Sequence, residues 1–432
     1  MPELPKGWRE EPLGEVAAVR VSNVDKKSRP FEIPVRLCNY LDAYREDYLD
    51  ESHPYMAATA TPSELTRFGL RPGDVIVTKD SETPDDIGVA AVIEAAPDNL
   101  VCGYHLAIVR PTAQLNPVWL AKQFGTIRVR RYLAARATGS TRYGLSNATL
   151  GNVPMFVPLR EEQDGIVEVL RTLDVAIRCN EQLTAKLQKL KQGLVHDLLT
   201  RGIDENSAVR PISDERPDLY ARTTVGLVPK GWDVGLLDSF ATRGSGHTPN
   251  KNVRSYWDGG IKWVSLADSE RLDNVFIQET DKEISELGIA NSSAVKHTEG
   301  TVILSRDAGV GKSAILASTM AVSQHFMAWS CGPRLNNLYL YYWLQHAKPR
   351  FEAIAMGSTI KTIGLPYFRQ LEIAVPTRRE QDAVAIRMLD VDRLLWKSAA
   401  DLDKLGLLKA GLVDDLLTGR IRVAKLPAGS AA

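Results

Sequence analysis

Four cysteines in 432 residues, at positions 38, 102, 179 and 331, are too few and too scattered to staple a fold. No disulfide framework is legible, so a reducing cytosol is the expected compartment. No run of about 18 apolar residues occurs, which argues against a membrane-spanning helix. Met1-Pro2-Glu3-Leu4-Pro5-Lys6-Gly7-Trp8 lacks the apolar stretch of a signal peptide. An excess of charge is also missing: 53 basic residues face 53 acidic ones. A nucleic-acid binder with no net charge must gather its cations onto one face, so the balance neither favours nor excludes such a partner. What remains is an ordinary globular composition, 44% hydrophobic and 25% charged. The length suits two to three domains, each with its own core.

The chain repeats itself. Gly139-Ser140-Thr141, Val157-Pro158, Arg160, Glu162-Gln163-Asp164, Lys191, Gly193-Leu194-Val195 and Asp197-Leu198-Leu199-Thr200 all return 218 residues later. They return as Gly357-Ser358-Thr359, Val375-Pro376, Arg378, Glu380-Gln381-Asp382, Lys409, Gly411-Leu412-Val413 and Asp415-Leu416-Leu417-Thr418. A period this long is no solenoid, whose repeats run about 20–50 residues; it is a duplicated domain. Upstream the match loosens. Leu4-Pro5-Lys6-Gly7-Trp8 matches Val228-Pro229-Lys230-Gly231-Trp232, and Gly73-Asp74-Val75-Ile76-Val77-Thr78-Lys79-Asp80 matches Gly300-Thr301-Val302-Ile303-Leu304-Ser305-Arg306-Asp307. The latter pair reads as a turn glycine, a buried strand and a basic–acidic pair at its end. Ile87-Gly88-Val89-Ala90 then matches Val310-Gly311-Lys312-Ser313 at the next strand.

The better-kept part of each copy is a long helix. Its apolar seam runs through Ile166, Leu170, Leu173, Ile177, Leu183, Leu187, Leu190, Leu194 and Leu198. The second copy has Val384, Met388, Val391, Leu395, Leu402, Leu405, Leu408, Leu412 and Leu416. Steps of three and four sustained this long indicate a coiled coil. Pro158 and Pro376 mark the starts, Thr377 with Glu380 fits a capping box, and glycine marks the ends. Each helix should span on the order of 55–60 Å. Neither buries its seam alone, so antiparallel pairing is expected, with the globular parts at opposite ends. Asn180 and Ser398 interrupt both seams at one register, either fixing that register or marking a local widening. Residues 204–225 read as a surface linker and the tail after Val423 as frayed.

Chemistry is hard to find. Gly309-Val310-Gly311-Lys312-Ser313 lacks the first glycine of a phosphate loop, since position 306 is Arg. A strand rather than a helix should follow it, and the first copy has no lysine at the matching place. Cys38, His53, Cys102 and His105 have a plausible Cys-x-x-His spacing but no counterpart in the second copy, so structural cysteines are expected. Asp80, Glu82, Asp85 and Asp86 suit a solvated loop, or a carboxylate accepting from cytosine N4, better than a nuclease centre.

Variable domain, long kept helix, variable domain, long kept helix: this plan resembles the specificity subunit of type I restriction–modification systems. The resemblance covers nearly the whole chain. It rests on the Pro-to-Glu-Gln helix starts, the Asp-Leu-Leu-Thr ends, the Gly-Ser-Thr segments, and His247-Thr248-Pro249 leading to Tyr256-Trp257-Asp258-Gly259-Gly260-Ile261-Lys262-Trp263-Val264. The first domain is similar to a different recognition class, carried by Arg36-Leu37-Cys38-Asn39-Tyr40, Thr78-Lys79-Asp80-Ser81-Glu82 and Gly103-Tyr104-His105.

The implied fold is a mixed α/β (α+β) one with a pseudo-twofold internal repeat. Target-recognition domains at 1–157 and 226–375 are joined by conserved helices at 158–203 and 376–421, the pair forming an antiparallel coiled coil. The resemblance implies that each domain reads one half of an asymmetric, bipartite site in double-stranded DNA. The helices set the spacer, since half-sites read from one side of the duplex lie about 34–36 Å apart. They also dock two methyltransferase subunits, with motor-nuclease (restriction) subunits joining through them. S-adenosylmethionine, ATP and Mg2+ then belong to those partners; the chain itself binds no cofactor or metal, and catalyses nothing. An adenine-methylating loop is indeed missing, Leu365-Pro366-Tyr367-Phe368 lacking the needed amide.

The residues chosen for DNA contact in the first copy are Lys26, Lys27, Arg29, Lys79, Thr141, Arg142 and Tyr143. In the second they are Arg243, His247, Lys251, Arg254, Arg306, Lys312, Thr359 and Lys361. Arg and Lys would meet phosphates or guanine edges, Thr and Tyr phosphate oxygens. Gly139 and Gly357 should serve turns, or else let the backbone approach a phosphate closely. Two other classes compete: a scaffold using the helix pair without DNA, and a nucleotide-using enzyme acting through Lys312.

Overall fold

The computed structural model describes residues 4–357 and 361–423. Thr359 and the tail from residue 424 lie outside them. The chain divides into two units, one made of the residues up to Glu181 with those from Ala400 on, the other of Gln182–Ala399. Among the described residues no helix is long and apolar enough to cross a membrane.

Each unit is built on the same five-stranded sheet. In the first, the strand order is Ala17–Val21, Leu106–Pro111, Val75–Thr78, Ala90–Ile93, Tyr48–Leu49. In the second it is Ala241–Ser245, Phe326–Cys331, Val302–Ser305, Ser313–Leu316, Phe276–Ile277. Both sheets pair antiparallel three times and parallel once, at the short edge strand. The central runs are apolar without a break because each face has its own core. Val75 and Val77 face one cluster and Ile76 another; Val302 and Leu304 are divided from Ile303 in the same way. One face carries helices: Pro117–Phe124 followed by Ile127–Ala134 in the first unit, and a single helix, Asn337–Ile354, in the second. The opposite face carries a smaller sheet, and here the units differ. The first unit has three strands and the second four, ordered Lys282–Ile284, Trp257–Val264, Met320–Val322, Lys296–His297.

The repeated Glu-Gln-Asp performs the same work twice. Gln163 and Gln381 are fully buried. Gln163 accepts from the Asn116 amide at 2.7 Å and donates to the carbonyls of Gln114 and Pro158. Gln381 accepts from the Asn336 amide at 2.8 Å and donates to those of Arg334 and Pro376. One side chain thus satisfies three backbone groups, one just before the long helix and two at the loop that opens the domain helix, as buried polar groups require. Asp164 and Asp382 accept from the side-chain amides of Asn116 and Asn336. The expected capping box at Thr377 is only half formed. Thr377 accepts from the Glu380 amide, but the Glu380 carboxylate turns to the Ile203 amide and to Arg210. Glu162, its counterpart, holds the Trp8 indole and Arg422.

The long helices are Arg160–Thr200 and Arg378–Leu417. Their pairing is antiparallel in each unit: Ile166 and Leu170 share a core with Leu416 and Leu417, and Leu198 and Leu199 share one with Val384 and Met388. Val391 is buried as well, and Leu173, Ile177, Leu187, Leu194, Leu395, Leu405 and Leu412 are half-buried. Leu183, Leu190 and Leu408 correct the expected seam, because they are about half exposed. A strict three–four step drifts around a helix of 3.6 residues per turn, and polar positions take part of the seam instead. Ser398 is buried, its hydroxyl 2.7 Å from that of Thr184. Residues 204–225, read as a surface linker, hold ordered structure: Tyr220–Thr223 forms a hairpin with Gly226–Pro229, and Arg210 binds Glu380.

Candidate nucleic-acid interface

In each unit the central strand ends on a cation and an aspartate, Lys79-Asp80 and Arg306-Asp307. The neighbouring antiparallel strand begins one residue after a histidine, so sheet register delivers that ring to the aspartate. His105 Nδ1 lies 2.8 Å from Asp80 Oδ2, and His325 Nδ1 lies 2.8 Å from Asp307 Oδ2. Lys79 Nζ pairs with Asp80 at 2.7 Å, and Arg306 Nε lies 3.7 Å from Asp307. The glycine loops complete the arrangement. Tyr143–Gly144 pairs with Asp80–Ser81, while Thr362 bridges to Asp307 and to Met356. Gly139 and Gly357 hold φ of +147° and +123°, a region that favours glycine. A Cβ on Gly139 would stand 1.8 Å from the Arg142 carbonyl oxygen. A side chain is therefore strained at both positions, as the turn and the close-approach readings both require. The cation–aspartate pair and the glycine loop, far apart in the sequence, thus converge with a histidine at one end of each sheet. His325 was missed; its signal was the equivalence with His105 one residue ahead of matching strands.

Beside each cluster lies a cavity. The first, of about 610 Å³, is lined by Lys26, Tyr40, Asp80, Glu82, His105 and Arg142, with Asp42 and Asp86. Burial and the nearby Asp86 push the Tyr40 hydroxyl pKa up. The second, of about 520 Å³, is lined by Thr248, Lys251, Trp257, Trp263, Lys282 and His325, with Asp258. Carboxylates outnumber cations in the first and lysines outnumber them in the second.

Of the residues chosen from sequence, Lys26 and Arg142 line the first cavity and Lys251 the second. Lys27, Thr141, His247, Arg254 and Lys361 are exposed, and Tyr143 is half-buried. Others are engaged in the fold. Arg29 pairs with Asp25 at 2.6 Å, Arg243 with Asp238 at 3.2 Å, and Arg306 donates to the Ile363 carbonyl at 3.1 Å. Lys312 donates to the Ser269 carbonyl at 2.9 Å. Its loop leads into the strand Ser313–Leu316, so no helix N-terminus is present to cradle a phosphate. Cys38 and Cys102 face each other on neighbouring parallel strands, whereas His53 pairs with Asp42. Among the described residues no three His, Cys, Asp or Glu converge as metal ligands would.

Residues 229–400 match the family model for the type I restriction modification DNA specificity domain. Over 431 residues the chain is 20% identical to the type I restriction enzyme MjaX specificity subunit of Methanocaldococcus jannaschii, covering 98% of this chain and 95% of that one. Its fold is similar to the crystal structure of a type I restriction–modification S subunit from M. genitalium. That likeness has a TM-score of 0.58 and 12% identity, with 96% and 97% of the two chains covered. A second solved chain, from work on complex assembly and conformational transition of the type I R-M system, gives a TM-score of 0.54 and 18% identity. It covers 98% of this chain and all of its own.

Proposed function

We propose that this chain is a specificity subunit of a type I restriction–modification system and reads one bipartite and asymmetric DNA site. The observation that carries this reading is the pairing of sameness and difference between the units. The five-stranded sheet, the Asp–His pair and the Glu-Gln-Asp helix start are duplicated. The second sheet and the cavity linings are not. A scaffold kept in common with two divergent surfaces suits two different half-sites presented in one frame. Lys26 and Arg142 in the first domain and Lys251 in the second offer donors for phosphates or guanine edges.

The long helices set the spacer between half-sites and dock two methyltransferase subunits, through which motor-nuclease subunits join. Those partners supply catalysis, using S-adenosylmethionine, ATP and Mg2+; this chain supplies the address and works in the cytoplasm. The test is adenine-methylation sequencing of host DNA with the gene intact and with it deleted. A split, asymmetric motif found only in the intact strain is the expected result. No difference, with methyltransferase partners expressed and bound, overturns the reading.

A further inference from the structure

The cavity of the second domain is lined by two tryptophans, two lysines and a buried serine. Trp263 donates its indole N–H to the His247 carbonyl at 3.1 Å, and Trp257 donates to the Asn250 carbonyl at 3.2 Å. The two rings meet edge-on at 5.2 Å. They pin the loop that carries Lys251, and Lys282 sits opposite Trp263 on the next strand. Among the described residues the ammonium groups of Lys251 and Lys282 have no ion-pair or hydrogen-bond partner, although both residues line the cavity. Lys262, Lys312 and Lys348 of the same unit are all tied to protein acceptors. Ser323 also lines the cavity; it is 1% exposed, and its hydroxyl has no partner. A buried hydroxyl left unpaired costs stability, so a ligand atom is the natural acceptor or donor for it. Asp258 adds a carboxylate, held at φ +55° where non-glycine residues are uncommon.

We propose that this cavity reads a guanine·cytosine pair in the half-site of the second domain, a specificity assignment that rests on the function proposed above. Lys251 and Lys282 donate to guanine O6 and N7, the commonest specific contact in the major groove. Asp258 accepts from the cytosine N4 amine, and Ser323 meets the same base-pair edge from the cavity floor. A phosphate fits this lining less well, because Asp258 would repel it. Adenine fits less well because its usual reader is a free amide, and the Gln324 amide is engaged at both ends. It accepts from the Thr248 hydroxyl at 2.5 Å, and its nitrogen lies 3.3 Å from His325 Nε2.

The experiment is modified-base sequencing of host DNA from cells that express the full chain with its methyltransferase partners. Wild type is compared with Lys251→Ala, Lys282→Ala and Ser323→Ala. The proposal expects each lysine variant to relax the same guanine position in one half-site by about tenfold or more, leaving the other half-site intact. Ser323→Ala should relax that position too, while its melting temperature holds or rises, since it removes a hydroxyl unpaired in the free protein. That combination separates base reading from a structural role. A uniform fall in methylation with the motif unchanged would mean phosphate contact and overturn the proposal, as would relaxation at a base other than guanine. Failure of the broader specificity reading is distinguishable, because wild type would then yield no motif at all.

Discussion

Lys409 Nζ lies 2.7 Å from Asp174 Oδ1, joining the end of the second long helix to the first. The duplicate of this pair, Lys191 with Asp392, closes at 2.6 Å in the other unit. Both aspartates are buried, and in both units the globular part reaches the same carboxylate. Tyr48 and Lys122 bind Asp174 at 2.8 and 2.9 Å, and Tyr342 binds Asp392 at 2.7 Å. A carboxylate with two or three partners anchors each domain to its helix pair.

Removing one partner should therefore strand a buried charge. Asp174→Asn and Lys409→Met are each expected to cost on the order of 2 kcal/mol, the exposure of Lys409 keeping the figure below that of a fully buried pair. Denaturant melts would measure it. In a double-mutant cycle the two losses should fall short of adding; strict additivity would show that the pair is not coupled.

The same cluster sets a pH window. Burial alone would raise the Asp174 carboxyl, but bonds from Lys409, Lys122 and Tyr48 outweigh it and its pKa falls below the ordinary 3.8. Asp47 is lowered as well: burial is again outweighed, here by Lys122 and Lys409. A depressed carboxyl contributes stability that is present above the unfolded pKa and lost as pH falls through the folded one. Burial lowers Lys409, but its bonds to Asp174 and Asp47 win and lift it above 10.5. Its contribution is present below that value and lost as pH rises through the folded pKa. Thermal melts should show a plateau that fails below about pH 4 and above about pH 10.5. Asp174→Asn should flatten the acid limb; an unchanged acid limb would contradict the assignment.

Gln163→Ala and Gln381→Ala each leave three backbone groups without their partner. A loss of about 2–3 kcal/mol is expected at either site, read by urea unfolding. Glu at the same position should do little better, because it cannot donate to the two carbonyls.

Arg142→Ala and Lys26→Ala test the cation side of the first cavity. Each should weaken binding of a DNA duplex carrying the motif and reduce the salt slope of the affinity by about 1. Lys312→Ala serves as the contrast, since its ammonium is spent on the Ser269 carbonyl. A slope unchanged in all three would place the phosphate contacts elsewhere.

Much of the architecture was legible because a 218-residue period needs no knowledge of contacts. Helix starts were readable from Pro158, Pro376 and Glu-Gln-Asp, and the strand at Val302–Ser305 from four consecutive residues suited to burial. The seam was less so. Leu190 and Leu408 keep the right step yet face solvent, while Asp174 and Lys409 break the apolar pattern and sit in the contact. Periodicity counts apolar residues, and it cannot see a polar residue whose partner is supplied by another element. The candidate site divided in the same way. Lys251 and the glycine loops were visible as composition and turn chemistry. His325, Lys282 and Ser323 were not, because each matters only through a neighbour brought to it by sheet register.

By itself the sequence determined the duplication, the long amphipathic helices and the buried central strands. All of these follow from local propensity and from spacing along the chain. Only the tertiary structure decided which side chains share a cavity, which cations are already spent, and which carboxylate anchors a domain. Those outcomes depend on residues far apart in sequence and close in space, and no periodicity records them.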